Sequence, residues 1–251
     1  MVATFFCARG SRLRNKQENN EKKRKRLKKI AIQCILLELH NDLFSISLNF
    51  VKKKIIKKIM PRINQQKYLS ALNFAFKLHA KQIRKGTQIA YFFHLSSVSN
   101  HVIENGGTTD EAIAGLLHDS VEDQGGEKTL KLIRKKFGNK VAKIVEDCTD
   151  TKIEPKPPWF ERKKRYIENL KYKGQSSLFV SLCDKTHNAS CIINDHTRVG
   201  KKLWKRFTAN PKKICWYYES LGKCYSKHLK GHKVLKLNYF KLIKEMKKKA
   251  K

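Results

Sequence analysis

The chain has 251 residues and a formal net charge of +35, from 56 Lys and Arg against 21 Asp and Glu. Hydrophobic residues make up 40% of it, an adequate share for a globular domain with a sizeable core. The basic excess runs along the whole chain and forms no recognisable nucleic-acid motif, so we expect attraction of polyanions but no specific nucleic-acid partner. The seven cysteines include no CxxC pair, which argues against a zinc knuckle and is typical of reduced residues in a cytoplasmic protein.

Residues 1–59 are predicted to be a basic N-terminal extension. The run Lys22–Lys29 is typical of a solvated segment, and Ile30–Val51 is interrupted by Glu38 and Asp42, which makes it a poor transmembrane span. The start shows no signal-peptide pattern. We interpret this stretch as a loosely ordered appendage or as a region read from a misassigned start codon, with an amphipathic membrane-surface segment as the runner-up.

Hydrophobic periodicity predicts an all-α fold, with a single globular domain over residues 60–230. Glycines and prolines separate the helices, and no segment sustains the alternation of a strand. The predicted helices are Ser70–Ile83, Leu95–Glu104, Asp110–Asp123, Leu130–Phe137, Val141–Cys148, Trp159–Leu170, Gln175–Asn194 and Lys212–Lys227. Residues 231–251 are predicted to form a basic C-terminal helix or tail, with candidate apolar positions Leu235, Leu237, Phe240, Leu242, Ile243 and Met246.

The predicted helix Asp110–Asp123 carries the most informative pattern of the chain. An adjacent pair, His118 and Asp119, stands one helical turn before a second adjacent pair, Glu122 and Asp123. Burying carboxylates this close together costs several kcal/mol unless a cation or a partner compensates. The alternative is an exposed acidic helix end, which needs no cation.

Two further segments supply what a divalent cation requires. A hard or borderline cation takes four or more mixed His and carboxylate ligands and keeps open positions for water and substrate. His94 stands at the start of a helical run, and Asp184 follows an apolar segment that can carry it into the core. A lone His or Asp is more often structural, but His94, His118, Asp119 and Asp184 together form a candidate ligand set.

Three separated motifs then indicate a family. The segment His118-Asp119-Ser-Val-Glu122-Asp123 is preceded by Arg84-Lys85-Gly86 and followed by Asp184-Lys-Thr-His-Asn188. In this order and spacing the chain resembles the HD-domain metal-dependent phosphohydrolases, and within them the small stand-alone alarmone hydrolases of the RelA/SpoT group. The resemblance covers about residues 64–228 and implies an α-helical HD fold. We therefore expect a degrading enzyme and not a bifunctional member, which would carry a synthetase domain after the hydrolase.

The resemblance also implies a role for each matching residue. The metal ligands would be His94, His118, Asp119 and Asp184, with Mn²⁺ the usual ion and other divalent transition metals also acceptable to such ligands. Glu122 and Asp123 match the acidic pair that activates or positions the attacking water. The substrate-binding matches are Arg84 and Lys85 near the guanine base, Asn188 near the ribose and phosphates, and Lys163 as a less specific match to a pyrophosphate contact. Ala90 and Thr186 depart from the family pattern, and neither is a proposed ligand.

The implied activity is metal-dependent hydrolysis of the 3′-pyrophosphate of guanosine tetra- or pentaphosphate, which releases pyrophosphate. A second interpretation keeps the metal site but gives it another phosphorylated nucleotide as substrate. A third, of another class, is an inactive nucleotide- or RNA-binding protein. The expected partner is thus a small-molecule nucleotide, and the sequence leaves the oligomeric state open.

Overall fold

The computed structural model describes residues 63–151 and 155–251, so the predictions for residues 1–59 lie outside the described residues. Residues Arg62–Lys251 form one compact unit. Over the described ranges, no helix is both long and apolar enough to cross a membrane.

The described residues are helical, as predicted, and contain no strand; one isolated antiparallel bridge joins Ile83 to Ala90. The helices are α1 (Gln65–Leu78), α2 (Phe92–Glu104), α3 (Thr109–Leu117), α4 (Ser120–Asp123), α5 (Gly126–Phe137), α6 (Asn139–Cys148), α7 (Trp159–Leu170), α8 (Gln175–Val199), a 3₁₀ helix (Gly200–Arg206), α9 (Pro211–His228) and α10 (Lys233–Lys249). The all-α prediction is therefore confirmed.

Helix α8 is the central element. It has 25 residues, and it packs against α2, α3, α6, α9, α10 and the 3₁₀ helix. Leu178, Val180, Leu182 and Cys183 on its first half are almost completely buried. A helix surrounded in this way carries any polar side chain in its middle into the core, which is how Asp184 becomes buried.

The N-terminus of α3 is fixed by local hydrogen bonds. Thr108 and Glu111 form a capping box, in which each side chain bonds the backbone of the other residue. Glu111 also accepts a hydrogen bond of 2.7 Å from Ser176 at the start of α8. Such a cap stabilises a helix by about 1 kcal/mol, and here it also joins α3 to α8.

The prediction of one continuous helix over Asp110–Asp123 is wrong. Helix α3 ends at Leu117, and the short helix α4 begins only at Ser120. Asp119, with ψ of −1°, departs from helical geometry, while its carboxylate accepts a hydrogen bond from Tyr91. No glycine or proline lies between Leu117 and Ser120, so the interruption coincides with these tertiary contacts and not with a local helix breaker.

Helix α1 begins and ends five residues before its predicted bounds. The Asn64 side chain accepts a hydrogen bond from the backbone of Lys67 and so caps the helix at Gln65. At the other end the chain leaves the helix after Leu78, and His79 turns inward to bond Gln82. The polar contacts of His79 therefore end a helix that the apolar periodicity extended to Ile83.

The C-terminal helix α10 packs against α8 and α9. Leu235, Ile243 and Met246 are buried as the apolar pattern predicted. The same prediction is wrong for Leu237 and Phe240, which are 62% and 40% exposed. Tyr239 is buried in their place, since its hydroxyl donates a 2.8 Å hydrogen bond to the Tyr218 carbonyl and needs no water.

Candidate active site

Three helices bring the candidate ligands to one point. His94 lies in the first turn of α2, His118 directly follows α3, and Asp184 lies in the middle of α8. Both histidines are 1% exposed and Asp184 is 4% exposed. The Asp119 side chain lies at the rim, where it is 21% exposed. A cation bound here would contact protein on one side and face solvent beyond Asp119.

The four side chains converge through a small set of atoms. Asp184 Oδ1 lies 3.3 Å from His94 Nε2 and 3.4 Å from His118 Nε2. Asp119 Oδ2 lies 2.9 Å from His118 Nε2 and 3.6 Å from His94 Nε2. Donors held about 2.1 Å from one metal ion at right angles are about 3 Å apart, so these spacings suit ligands of a single cation.

The hydrogen bonding of the two histidines supports the same interpretation. His94 Nε2 and His118 Nε2 are buried, and neither has a hydrogen-bond partner. A buried polar nitrogen without a partner costs free energy, and a bound cation would remove that cost. His94, His118 and Asp184 each offer a ligand atom, and these atoms lie within 4.8 Å of one another. The donor set of two imidazoles and a carboxylate fits a borderline divalent ion.

A second layer of side chains orients the ligands. His118 Nδ1 lies 2.9 Å from the carbonyl of Gly115, which can only accept, so this nitrogen carries a proton and Nε2 is the nitrogen left to bind a metal ion. His94 Nδ1 lies 2.8 Å from His187 Nδ1. Tyr91 donates a 2.5 Å hydrogen bond to Asp119 Oδ2. Such outer contacts fix the ring and carboxylate orientations that metal binding needs.

Asp184 is held by residues of its own helix. Lys185 donates a 2.6 Å hydrogen bond to Oδ2, and Asn188 donates one of 2.5 Å to Oδ1. Arg84 in turn donates a 3.2 Å hydrogen bond to Asn188 Oδ1. The predicted ligand Asp184 and two predicted substrate residues thus form one connected chain. Lys85 is exposed and has no hydrogen bond to that chain among the described contacts.

The electrostatics of the cluster favour positive charge. Burial by itself would raise the pKa of Asp184, but Lys185 and His118 hold it well below the ordinary range. Burial would likewise lower the pKa of His118, but Asp119 and Asp184 raise it well above the ordinary value. The two carboxylates therefore remain ionised and attract a cation, whether a proton or a metal ion.

The acidic pair of α4 faces two different environments. Glu122 accepts hydrogen bonds from the Asp150 backbone at 3.3 Å and from Lys156 at 3.1 Å. Asp123 Oδ2 accepts a 2.8 Å hydrogen bond from Gln82. Burial and the nearby Asp119 raise the pKa of Asp123 to about 6. Both carboxylates lie within one helical turn of Asp119, where acid–base chemistry at the cluster would need them.

A group of cations lies next to Glu122. Asp150 accepts a hydrogen bond of 2.8 Å from Lys163 and a second, from Arg162, through the same oxygen. Burial lowers the pKa of Lys163, and Asp150 partly opposes that effect. Because Asp150 also contacts Glu122 through its backbone, it joins the predicted phosphate contact to the predicted water-activating group. The segment from 152 to 154 lies outside the described residues.

Sequence reasoning missed the residues that support the site. The Gln82 side chain accepts a hydrogen bond from Gln124, forms another with His79 and donates one to Asp123. It therefore connects the end of α1 to the acidic pair. Tyr91 and His187 were assigned no role at the site. Their closeness to the motifs in the sequence could have indicated a role. Gln82 precedes Arg84-Lys85-Gly86 by two residues, and His187 lies inside the Asp184–Asn188 motif.

Comparison with known proteins places this site in a family. The family model for the HD domain matches residues 71–214. The chain is 39% identical over 123 residues to the guanosine-3′,5′-bis(diphosphate) 3′-pyrophosphohydrolase MESH1 of Xenopus tropicalis, covering 48% of this chain and 66% of that relative. It is 35% identical over 139 residues to the MESH1 of Homo sapiens, covering 54% of this chain and 73% of that relative.

A solved structure supports the fold. The structure of a metazoan ortholog of SpoT that hydrolyses ppGpp superposes with a TM-score of 0.58 and 23% identity, and covers 71% of this chain and 94% of that chain. At this identity the likeness concerns the fold alone.

Proposed function

The chain belongs to the HD domain family, and from that premise we propose that it hydrolyses the 3′-pyrophosphate of guanosine tetra- and pentaphosphate and releases pyrophosphate. The main observation in support is that His94, His118 and Asp184 converge, and that one ring nitrogen of each histidine has no hydrogen-bond partner. The hydrogen-bonded pair of Arg84 and Asn188 lies beside them. Two MESH1 relatives are named for this activity, and the HD family model covers residues 71–214, which include the candidate site.

We propose that the ion is Mn²⁺, held by His94, His118, Asp119 and Asp184. A divalent ion at this place lowers the pKa of water and neutralises charge on a phosphoryl oxygen. The protein supplies the remaining groups. Glu122 accepts the proton of the attacking water, and Asp123 orients that water or receives the proton next.

The cations around the site bind the substrate phosphates. Lys163 and Arg162 both donate hydrogen bonds to Asp150. When the pyrophosphate enters, some of their N–H groups donate to phosphate oxygens instead. Arg84 and Asn188 hold the nucleoside, so that the 3′-pyrophosphate faces Glu122. Lys85, exposed beside Arg84, adds positive charge at the entrance.

The test follows pyrophosphate release from guanosine tetraphosphate by the full chain with Mn²⁺, beside GTP and nucleoside monophosphates. We expect metal-dependent release from the tetraphosphate and little from the others. Glu122→Gln is expected to lower turnover by about 10²- to 10⁴-fold, the usual contribution of a general base, with Mn²⁺ still bound. Turnover of Glu122→Gln near that of the wild type would contradict the assigned role of Glu122.

The other results of this assay separate the alternatives. Phosphate release from a different nucleotide would keep the metal site but change the substrate. Bound Mn²⁺ without any hydrolysis would favour an inactive nucleotide-binding protein.

Two finer features complete the proposal. We propose a cytoplasmic location, supported by the five free cysteines of the described residues, Cys148, Cys183, Cys191, Cys215 and Cys224. We also propose that a nucleotide, and no specific nucleic acid, is the partner, because the basic residues are spread over the whole sequence.

A further inference from the structure

His187 lies against a candidate ligand without being one. Its Nδ1 atom lies 2.8 Å from His94 Nδ1, and the two ring centroids are 4.9 Å apart. A hydrogen bond between two imidazole nitrogens needs one protonated nitrogen and one lone pair. The protonation pattern of this pair therefore decides which nitrogen of His94 is available to a cation.

Ligation of a cation by His94 would determine the pattern. His94 Nε2 points at Asp184 Oδ1 and Asp119 Oδ2, and a cation held between these atoms needs a lone pair on Nε2. The ring proton then resides on Nδ1 and points at His187 Nδ1, which must supply the accepting lone pair. His187 in turn carries its own proton on Nε2.

His118 provides an internal comparison. Its Nδ1 proton points at the Gly115 carbonyl, a group that has no proton and can only accept. The tautomer of His118 is thus determined by the backbone. The tautomer of metal-bound His94 depends instead on the His187 side chain, and a substitution at position 187 can remove that side chain.

Helix α8 explains why His187 reaches this position. Asp184, His187 and Asn188 are spaced i, i+3 and i+4, so they share one face of the helix. The same face therefore supplies a candidate ligand, the contact to His94 and the contact to Arg84. One element sets the relative placement of all three.

We infer that His187 is a positioning residue, which accepts the Nδ1 proton of His94 and so keeps His94 Nε2 free to bind the metal ion. This inference rests on the proposed metal site and not on the proposed substrate. It assigns His187 no contact with the nucleotide.

The experiment measures the Mn²⁺ dissociation constant of the full chain by the electron paramagnetic resonance of free Mn²⁺. His187→Leu fills similar space without an acceptor and is expected to weaken binding by about 10- to 100-fold, the usual effect of losing such a partner. His187→Asn presents an amide oxygen near the former Nδ1 position and is expected to restore affinity close to the wild type. His101→Leu is the matched control, because His101 contacts His187 but none of the ligands, and it should leave affinity unchanged.

A second measurement does not depend on any variant. Long-range ¹H–¹⁵N correlation spectra of the Zn²⁺-loaded protein report which ring nitrogens carry protons. We expect protonated Nδ1 for His94 and unprotonated Nδ1 for His187. A protonated His187 Nδ1 would overturn the inference even if His187→Leu failed to fold.

The outcomes distinguish this inference from the proposed function. A wild-type chain that binds no divalent ion would overturn the metal site itself. Tight binding by the wild type and equally tight binding by a folded His187→Leu would overturn only the role of His187. Weak binding by both His187→Leu and His187→Asn, with unchanged melting temperatures in EDTA, would also contradict the acceptor role.

Discussion

The two sides of the candidate site are held together by different interactions. The ligands His94, His118 and Asp184 are buried and emerge from packed helices. On the other side, Lys163 pairs with the buried carboxylate of Asp150, and Glu122 accepts a hydrogen bond from Lys156, whose side chain is 37% exposed. The position of a buried ligand depends on core packing, whereas an ion pair near the surface such as Lys156–Glu122 is weak and screened by salt. Substitutions should therefore separate metal binding from phosphate binding.

The largest expected effect lies on the buried side. Asp184→Asn removes the charge of a ligand and leaves Lys185 without its carboxylate in a place where that side chain is 17% exposed. We expect Mn²⁺ binding and hydrolysis to be lost together, and the melting temperature to fall because a buried charge is left unpaired. Metal analysis, the pyrophosphate assay and thermal unfolding measure the three effects.

Asp195→Asn is the matched control for Asp184→Asn. Asp195 lies further along α8 and pairs with Arg206 at 2.9 Å, where both side chains are about a quarter exposed. An exposed pair of this kind contributes about 0–1 kcal/mol, so metal content should not change. Stoichiometric Mn²⁺ in Asp184→Asn would show that the buried side does not hold the ion.

A smaller effect is expected on the ion-paired side. Lys163→Met removes one charged hydrogen-bond donor to phosphate while Arg162 still pairs with Asp150. We expect kcat/KM to fall by about 10- to 100-fold, since hydrogen bonds to charged groups contribute about 1.5–3 kcal/mol. Mn²⁺ content should stay at the wild-type level, and kcat/KM measured across salt concentrations should become less sensitive to ionic strength.

Lys164→Met is the neighbouring control, because Lys164 is exposed and lies next in the chain. Equal losses in the two variants would mean that only general surface charge matters. Loss of Mn²⁺ in Lys163→Met would break the separation between the two sides of the site.

The sequence singled out the candidate ligands, but it did not predict the path of the backbone that carries them. Asp184 was identified by its place after an apolar segment, and the structure places it in the middle of the buried helix α8. The interruption between Leu117 and Ser120 was missed, because it depends on contacts of Asp119 and His118 with groups that are distant in the chain. Apolar periodicity reports burial along one helix, but it carries no information on such contacts.

The supporting side chains were missed for a related reason. Gln82, Tyr91 and His187 support the site through hydrogen bonds to Asp123, Asp119 and His94, which lie between 28 and 93 positions away. One sequence contains no periodic signal for a bond of that kind. Their roles could only be assigned once the fold had brought α1, α2 and α8 around the same point.

The smallest expected effect concerns Asp123, which follows Asp119 by one helical turn and accepts a hydrogen bond from Gln82. Burial and Asp119 raise the pKa of Asp123 from 3.8 to about 6, so between these values the folded state binds more protons than the unfolded state. The stability of EDTA-treated protein therefore falls as pH rises through that window, and the destabilisation by ionised Asp123 is fully present above about pH 6.

The variant Asp123→Asn removes this titration. The melting temperature of the variant minus that of the wild type should thus be larger at pH 8 than at pH 5. The gain should be modest because solvent still reaches the Asp123 side chain and screens its repulsion from Asp119. It should come with lost hydrolysis, since a carboxylate kept at a cost in stability is expected where it serves the reaction. A difference that stays constant from pH 5 to pH 8 would show that Asp123 titrates normally and that the surrounding charges do not tune it.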